Sequence, residues 1–152
     1  MTKRAQISPS PTASVAAVRF HLAAASGLGL DVEEALRAAS LSTSDLADIE
    51  ARIPLDRVVP LIAWIAEQCP QPSYGLWLGE RFHPSKLHAV GYLMLNAATA
   101  GDAFRVFERY KRVVGEGFRT SITQQDGSRT YLSLEDVRLP GLEQVVAEWH
   151  QS

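Results

Sequence analysis

Histidine, cysteine and carboxylate spacing is where chemistry would first announce itself, and here it points away from catalysis. His83 and His88 stand five apart, with Glu80 ahead of them and no cysteine between. A helical pair of metal ligands needs a spacing of three or four, so that both side chains share a face. Cys69 is the single cysteine of the sequence, which excludes an internal disulfide framework and a multi-cysteine metal cluster and fits a reducing compartment. It precedes Pro70, and no Gly-x-Ser-x-Gly elbow occurs anywhere, so neither a thiol nor a hydroxyl is set up as a nucleophile. Gly27-x-Gly29 and Gly115-x-Gly117 do not extend into a phosphate-cradling fingerprint and read as helix stops. No enzyme, metal or cofactor is predicted.

A direct nucleic-acid reader is the next class to weigh. Val32 to Ile49 offers two short helices around a small-residue turn, the outline of a helix-turn-helix. Its charges have the wrong sign: Glu33, Glu34, Asp45 and Asp48 stand against Arg37 alone, while affinity for phosphates requires a basic surplus. The formal net charge of −2 gives no general attraction to a polyanion either. A more basic stretch, Arg105, Arg109, Lys111, Arg112 and Arg119, is offset by Glu108 and Glu116 and reads as the solvated face of an amphipathic helix. Direct DNA binding is therefore the rival reading, and a small enzyme the weaker one.

The elements that must position any site follow from periodicity. Residues 1–12 carry Ser, Pro and Thr with few apolar anchors and read as a flexible tail; one domain is expected over 13–152. Val15, Val18, Leu22 and Ala25 repeat at helical spacing over 13–26. Asp31 caps a second helix reaching Ala39, and Ser42 to Asp45 opens a third short one. The helix after Ile53-Pro54 reaches Glu67 with Pro60 inside it, and Tyr74 to Phe82 gives another turn or two. His88 to Ala98 is almost wholly apolar and predicts a buried helix. Thr99 to Asp102 matches a capping box leading a helix through Val114, with Ala103, Val106, Phe107, Tyr110, Val113 and Val114 expected inward.

Beyond Gly117 the period becomes two. Phe118, Thr120 and Ile122, then Thr130, Leu132 and Leu134, alternate with polar residues around Asp126-Gly127, the pattern of a β-hairpin. Two strands alone are marginal in water, so the hairpin must pack on the helices or belong to an incomplete sheet. Leu142, Val145, Val146 and Trp149 return to helical spacing at the end. The fold class expected is α+β: mostly helical, a single domain, with a C-terminal β-hairpin. The longest apolar run, Ala89 to Ala98, falls short of the roughly 20 residues that span a bilayer, and the N-terminus is a poor signal peptide. A cytoplasmic protein with no membrane partner is expected.

From about Leu22 to Leu134 the order of features resembles the N-terminal, arabinose-binding-type domain of AraC-family transcription regulators. The segments that carry this are Ala51-Arg-Ile-Pro-Leu-Asp-Arg-Val-Val59, Tyr74-Gly-Leu-Trp-Leu-Gly-Glu-Arg-Phe82, Gly91-Tyr-Leu-Met-Leu-Asn-Ala-Ala-Thr-Ala-Gly-Asp-Ala-Phe104, and Arg109-Tyr110 before the hairpin. The resemblance implies a domain that senses a small-molecule effector and forms a homodimer. DNA would be bound only through a C-terminal pair of helix-turn-helix units that this sequence does not contain, so the chain reads as truncated. The effector pocket is placed between the 88–98 helix, the 103–114 helix and the hairpin, where apolar bulk meets His88, Tyr92, Asn96, Tyr110 and Tyr131. Packing, with each polar tip satisfied by a neighbour, is the alternative reading of these five residues.

Overall fold

The computed structural model describes residues 10–116 together with the strands 119–125 and 129–135. Residues 1–9 of the expected tail, the Asp126-Gly127 turn and the expected Leu142 to Trp149 helix lie outside the described residues.

The chain enters through a three-residue strand β1 (Thr12–Ser14) and turns directly into α1 (Val15–Gly27). Ser14 makes that turn, its hydroxyl accepting from the Ala17 amide at 3.2 Å and so satisfying one of the helix's four orphan donors. Asp31 does the same for α2 (Val32–Ala38), accepting from the Glu33 and Glu34 amides at 2.8 and 3.1 Å. Ser40 then takes a positive φ of 52°, and the Leu41 amide returns to the Leu36 carbonyl at 2.8 Å, a left-handed stop. A single 3-10 turn over Thr43–Leu46 follows, closed by a reciprocal Ser42–Asp45 capping box. Asp45 also receives Arg57 at 3.1 Å, which ties the turn to the next helix.

β2 (Arg52–Pro54) runs antiparallel to β1, with Ala13 opposite Ile53, and leads into α3 (Leu55–Gln68). Pro60 sits within α3 and the helix continues past it. Ser73 caps α4 (Tyr74–Glu80). A 3-10 turn over Pro84–Leu87 precedes α5 (His88–Leu95), and Thr99 caps α6 (Ala100–Val114) by accepting from the Asp102 amide at 3.1 Å.

The core lies in the first half of the chain. Val15 and Val18 of α1 and Leu61 and Ile65 of α3 are wholly enclosed, and Ala25, Ala35, Leu36, Leu41, Leu46, Ile53 and Tyr74 are among the residues buried with them. Each fully buried aliphatic side chain removes enough apolar surface from water to contribute roughly 1.5–3 kcal/mol.

Three expectations are corrected. The first is the fold class, an α+β domain whose sheet is a C-terminal hairpin. The domain is mostly helical, and the small antiparallel sheet joined to its core is β1–β2, near the N-terminus. Thr12, the last residue assigned to a loose tail, begins that sheet. Pairing between segments 40 residues apart leaves no mark in a local periodicity, and three residues are too few to show one. Strands β3 (Arg119–Gln125) and β4 (Arg129–Glu135) pair antiparallel, Arg119 opposite Glu135, as a separate two-stranded unit.

The second correction concerns the apolar run after His88. Only Val90 and Gly91 of α5 are buried, while Tyr92, Leu93 and Leu95 are 62%, 49% and 48% exposed. The third is the inward face of α6, none of whose residues is buried. Apolarity says that a face should be covered; it does not say by what.

Gly91 is fixed by its surroundings. A Cβ there would fall 1.6 Å from the Pro84 carbonyl oxygen, since α5 lies directly against the preceding 3-10 turn. Gly79 of α4 has nothing within 4 Å of the same position. Gly91→Ala should therefore destabilise the fold by roughly 1–3 kcal/mol through overpacking, while Gly79→Ala should be neutral or stabilise by about 0.4–1 kcal/mol by restricting the unfolded chain. Urea unfolding of the two variants checks this, and equal midpoints would contradict the packing described.

Candidate functional site

Arg52 makes four hydrogen bonds to two distant parts of the chain. Its Nε donates to the Thr12 hydroxyl at 2.7 Å and Nη2 to the Thr12 carbonyl at 3.1 Å. Nη1 donates to the Val113 carbonyl at 3.0 Å, and Nη2 also to the Arg112 carbonyl at 3.1 Å. These two carbonyls belong to the last turn of α6, where acceptors have no partner within the helix and a cation is favoured by the helix dipole. Glu116 closes the arrangement from the other side: its carboxylate accepts from the Thr12 amide at 3.0 Å and the Thr12 hydroxyl at 2.9 Å. The Glu116 amide donates to the Thr12 carbonyl at 2.8 Å, and Ala13 bridges Gly115. The Thr12 contacts, with Arg112 and Arg52 adding to them, hold the Glu116 carboxyl below its ordinary range.

Beside this junction lies a cleft of about 180 Å³. Its walls are the first turn of α1 (Ser14, Ala16, Ala17), the approach to β2 (Ile49, Glu50, Arg52), the turn into α5 (Lys86, Leu87, His88, Ala89) and the end of α6 (Val113, Val114). Since Arg52 spends its guanidinium on the junction, it shapes the wall, and Glu50, Lys86 and His88 supply the remaining ionisable groups. His88 has φ 49° and ψ −125°, a backbone conformation that costs energy in a residue with a Cβ. It stands where the 3-10 turn becomes α5.

Of the five residues singled out from sequence, this cleft takes one. His88 lines it. Tyr92 points to solvent, and the Asn96 side-chain amide donates to the Tyr92 carbonyl at 2.7 Å. Tyr110 is 38% exposed with the Arg109 guanidinium 5.6 Å from its ring. The Tyr131 backbone pairs with Thr123, and its side chain lies outside the described residues. Glu50 and Lys86 were missed because nothing local distinguishes them from other surface charges. Arg52 had a signal, its place in the Ala51-Arg-Ile-Pro segment.

A second polar pair sits against the core. Nδ1 of His21, on α1, lies 2.8 Å from the Tyr74 hydroxyl, and Phe20 beside it meets Phe82 edge-on at 5.8 Å. Burial lowers the His21 pKa to about 4 and pushes the Tyr74 hydroxyl upward. The pair joins α1 to the start of α4 as neutral partners. Among the described residues no group of three or more His, Cys, Asp or Glu side chains could hold a metal ion, and no helix is long and apolar enough to cross a membrane.

Two predictions follow from these contacts. Lysine has a single ammonium in place of a five-donor fork, so Arg52→Lys cannot reach Thr12 and both α6 carbonyls together. It should lower stability by roughly 1–3 kcal/mol and speed hydrogen exchange of the Glu116 amide; exchange at the parental rate would contradict the junction. For His21 the folded pKa is depressed, so the unfolded chain binds more protons between pH 6.5 and about 4. The stability this group contributes is complete above pH 6.5 and is lost as pH falls through about 4. His21→Gln should flatten that part of the stability–pH curve, and a parallel curve would refute the assignment.

A family model described as the arabinose-binding domain of AraC transcription regulator, N-terminal, matches residues 29–151. The ornithine utilization regulator of Pseudomonas aeruginosa is 30% identical over 80 residues, which is 53% of this chain and 24% of that protein. The chain therefore aligns with about a quarter of that relative's length.

Proposed function

Because the chain belongs to the family of arabinose-binding N-terminal domains of AraC transcription regulators, we propose that it is a non-enzymatic, effector-sensing module. It binds a small molecule and passes the signal to a DNA-binding domain. The reading extends to a homodimer working in the cytoplasm. Its signal is a difference in effector affinity between two conformations, the only way a ligand shifts such an equilibrium.

The observation that carries the placement of the site is the cleft at the Arg52 junction. It touches α1, the approach to β2, the start of α5 and the end of α6, so an occupant would bridge segments beside the junction and the start of α5. The strained His88 backbone on its wall is the kind of outlier that marks ligand clamps and switch regions. At about 180 Å³ the space is below the roughly 300–1,000 Å³ of drug-sized pockets and suits a small metabolite. This placement keeps His88 and replaces Tyr92, Asn96 and Tyr110 with Glu50 and Lys86.

The family description and the relative's name supply two probes, L-arabinose and L-ornithine. Calorimetric titration of the chain with each should show binding by at least one. Lys86→Ala and His88→Ala should weaken it by roughly ten-fold, the loss of about 1.4 kcal/mol. Unchanged affinity in both variants would move the site elsewhere. Absence of binding by both probes, together with a gel shift of DNA by the chain at physiological salt, would favour the direct DNA-binding reading.

A further inference from the structure

The outer faces of α5 and α6 carry more apolar surface than a solvated face explains. Tyr92, Leu93 and Leu95 on α5 and Phe104, Tyr110 and Val113 on α6 are each between 38% and 62% exposed. Contiguous patches of this kind mark contacts. On α6 the pattern is ordered. Val106, Tyr110 and Val113, the last also bordering the cleft, recur at i, i+4 and i+7 and form one stripe; Arg105, Arg109 and Arg112, all exposed, run beside it at the same spacing, Arg105 paired with Asp102 and Arg112 with Glu116. The helix thus offers an apolar seam edged by a basic ridge.

We propose that this seam is the docking surface for the chain's own C-terminal segment, residues 139–150. Leu142, Val145, Val146 and Trp149 recur at i, i+3, i+4 and i+7, a stripe of the same length as Val106 to Val113, about 10 Å at 1.5 Å per residue. Glu143 and Glu148 flank that stripe on its two sides, and residues 136–152 hold three acids against one base, the complement of the α6 ridge. Placement agrees with charge. Glu135, the last residue of β4, pairs with Arg119, the first of β3, so the chain leaves the hairpin five residues past the end of α6. Pro140-Gly141 is a turn signal where the chain can reverse, and the segment then runs antiparallel to α6, Leu142 near Val113 and Val146 near Tyr110.

Disulfide trapping in the full chain tests this, with Cys69→Ser removing the native thiol. The pairs Val113→Cys with Leu142→Cys and Tyr110→Cys with Val146→Cys should close within one chain about ten-fold faster than the mismatched pair Val113→Cys with Trp149→Cys, because docking raises the effective concentration of the matched thiols. Disulfides between chains would assign the seam to a second copy and overturn the proposal, as would equal rates for matched and mismatched pairs. A measurement without new cysteines stands beside it: Leu142→Asp with Trp149→Asp should at least double hydrophobic-dye fluorescence at unchanged molecular mass and far-ultraviolet circular dichroism. Unchanged fluorescence would likewise reject the docking.

Discussion

One guanidinium holds the architecture together. Arg52 lies 40 residues from Thr12 and about 60 from the end of α6, and it donates to both. Backbone carbonyls at a helix end must find a donor when water is displaced, and a planar cation with several N–H groups can serve two of them while also bonding a neighbouring strand. Glu116 supplies the matching anion, so the junction is a charge-assisted network in which Thr12 serves as both donor and acceptor. Pairs exposed to this degree contribute modestly to stability by Coulomb attraction alone. The weight of the junction comes from geometry: it sets where α6 ends relative to α1, and with that the width of the cleft.

The rest of the fold can be read outward from that point. β2 delivers Arg52 and continues into α3, whose Leu61 and Ile65 fill the core against Val15 and Val18 of α1. β1 delivers Thr12 and continues into α1 through the Ser14 cap. The two helices that build the core are thus direct extensions of the two strands that build the junction. α5 and α6 are attached differently, through the Gly91 contact with Pro84 and through the α6 carbonyls that accept from Arg52. Among the described residues they are buried less deeply than α1 and α3.

Local chemistry was legible in the sequence, and distant pairing was not. Asp31, Ser42 with Asp45, and Thr99 cap helices where side-chain oxygens and their spacing said they should, because a cap is settled within four residues. The Val15, Val18, Leu22 stripe found the core for the same reason. β1 and β2 escaped notice since each is three residues long and depends on a partner far along the chain. The full burial expected of the 88–98 helix and of the inner face of α6 is not met among the described residues, because periodicity identifies an apolar side without naming the surface that covers it. At the cleft, His88 was singled out as a polar residue at the head of an apolar helix, whereas Glu50 and Lys86 stand out only when three separate segments converge.

The most direct test of a sensing cleft at the Arg52 junction is a two-dimensional amide NMR titration of the chain with L-arabinose and with L-ornithine. The account predicts shifts concentrated at Ala16 and Ala17, Glu50 to Arg52, Lys86 to Ala89 and Val113 to Glu116. Shifts confined to the outer surface of α5 around Tyr92 and Asn96, with those four segments unmoved, would contradict it.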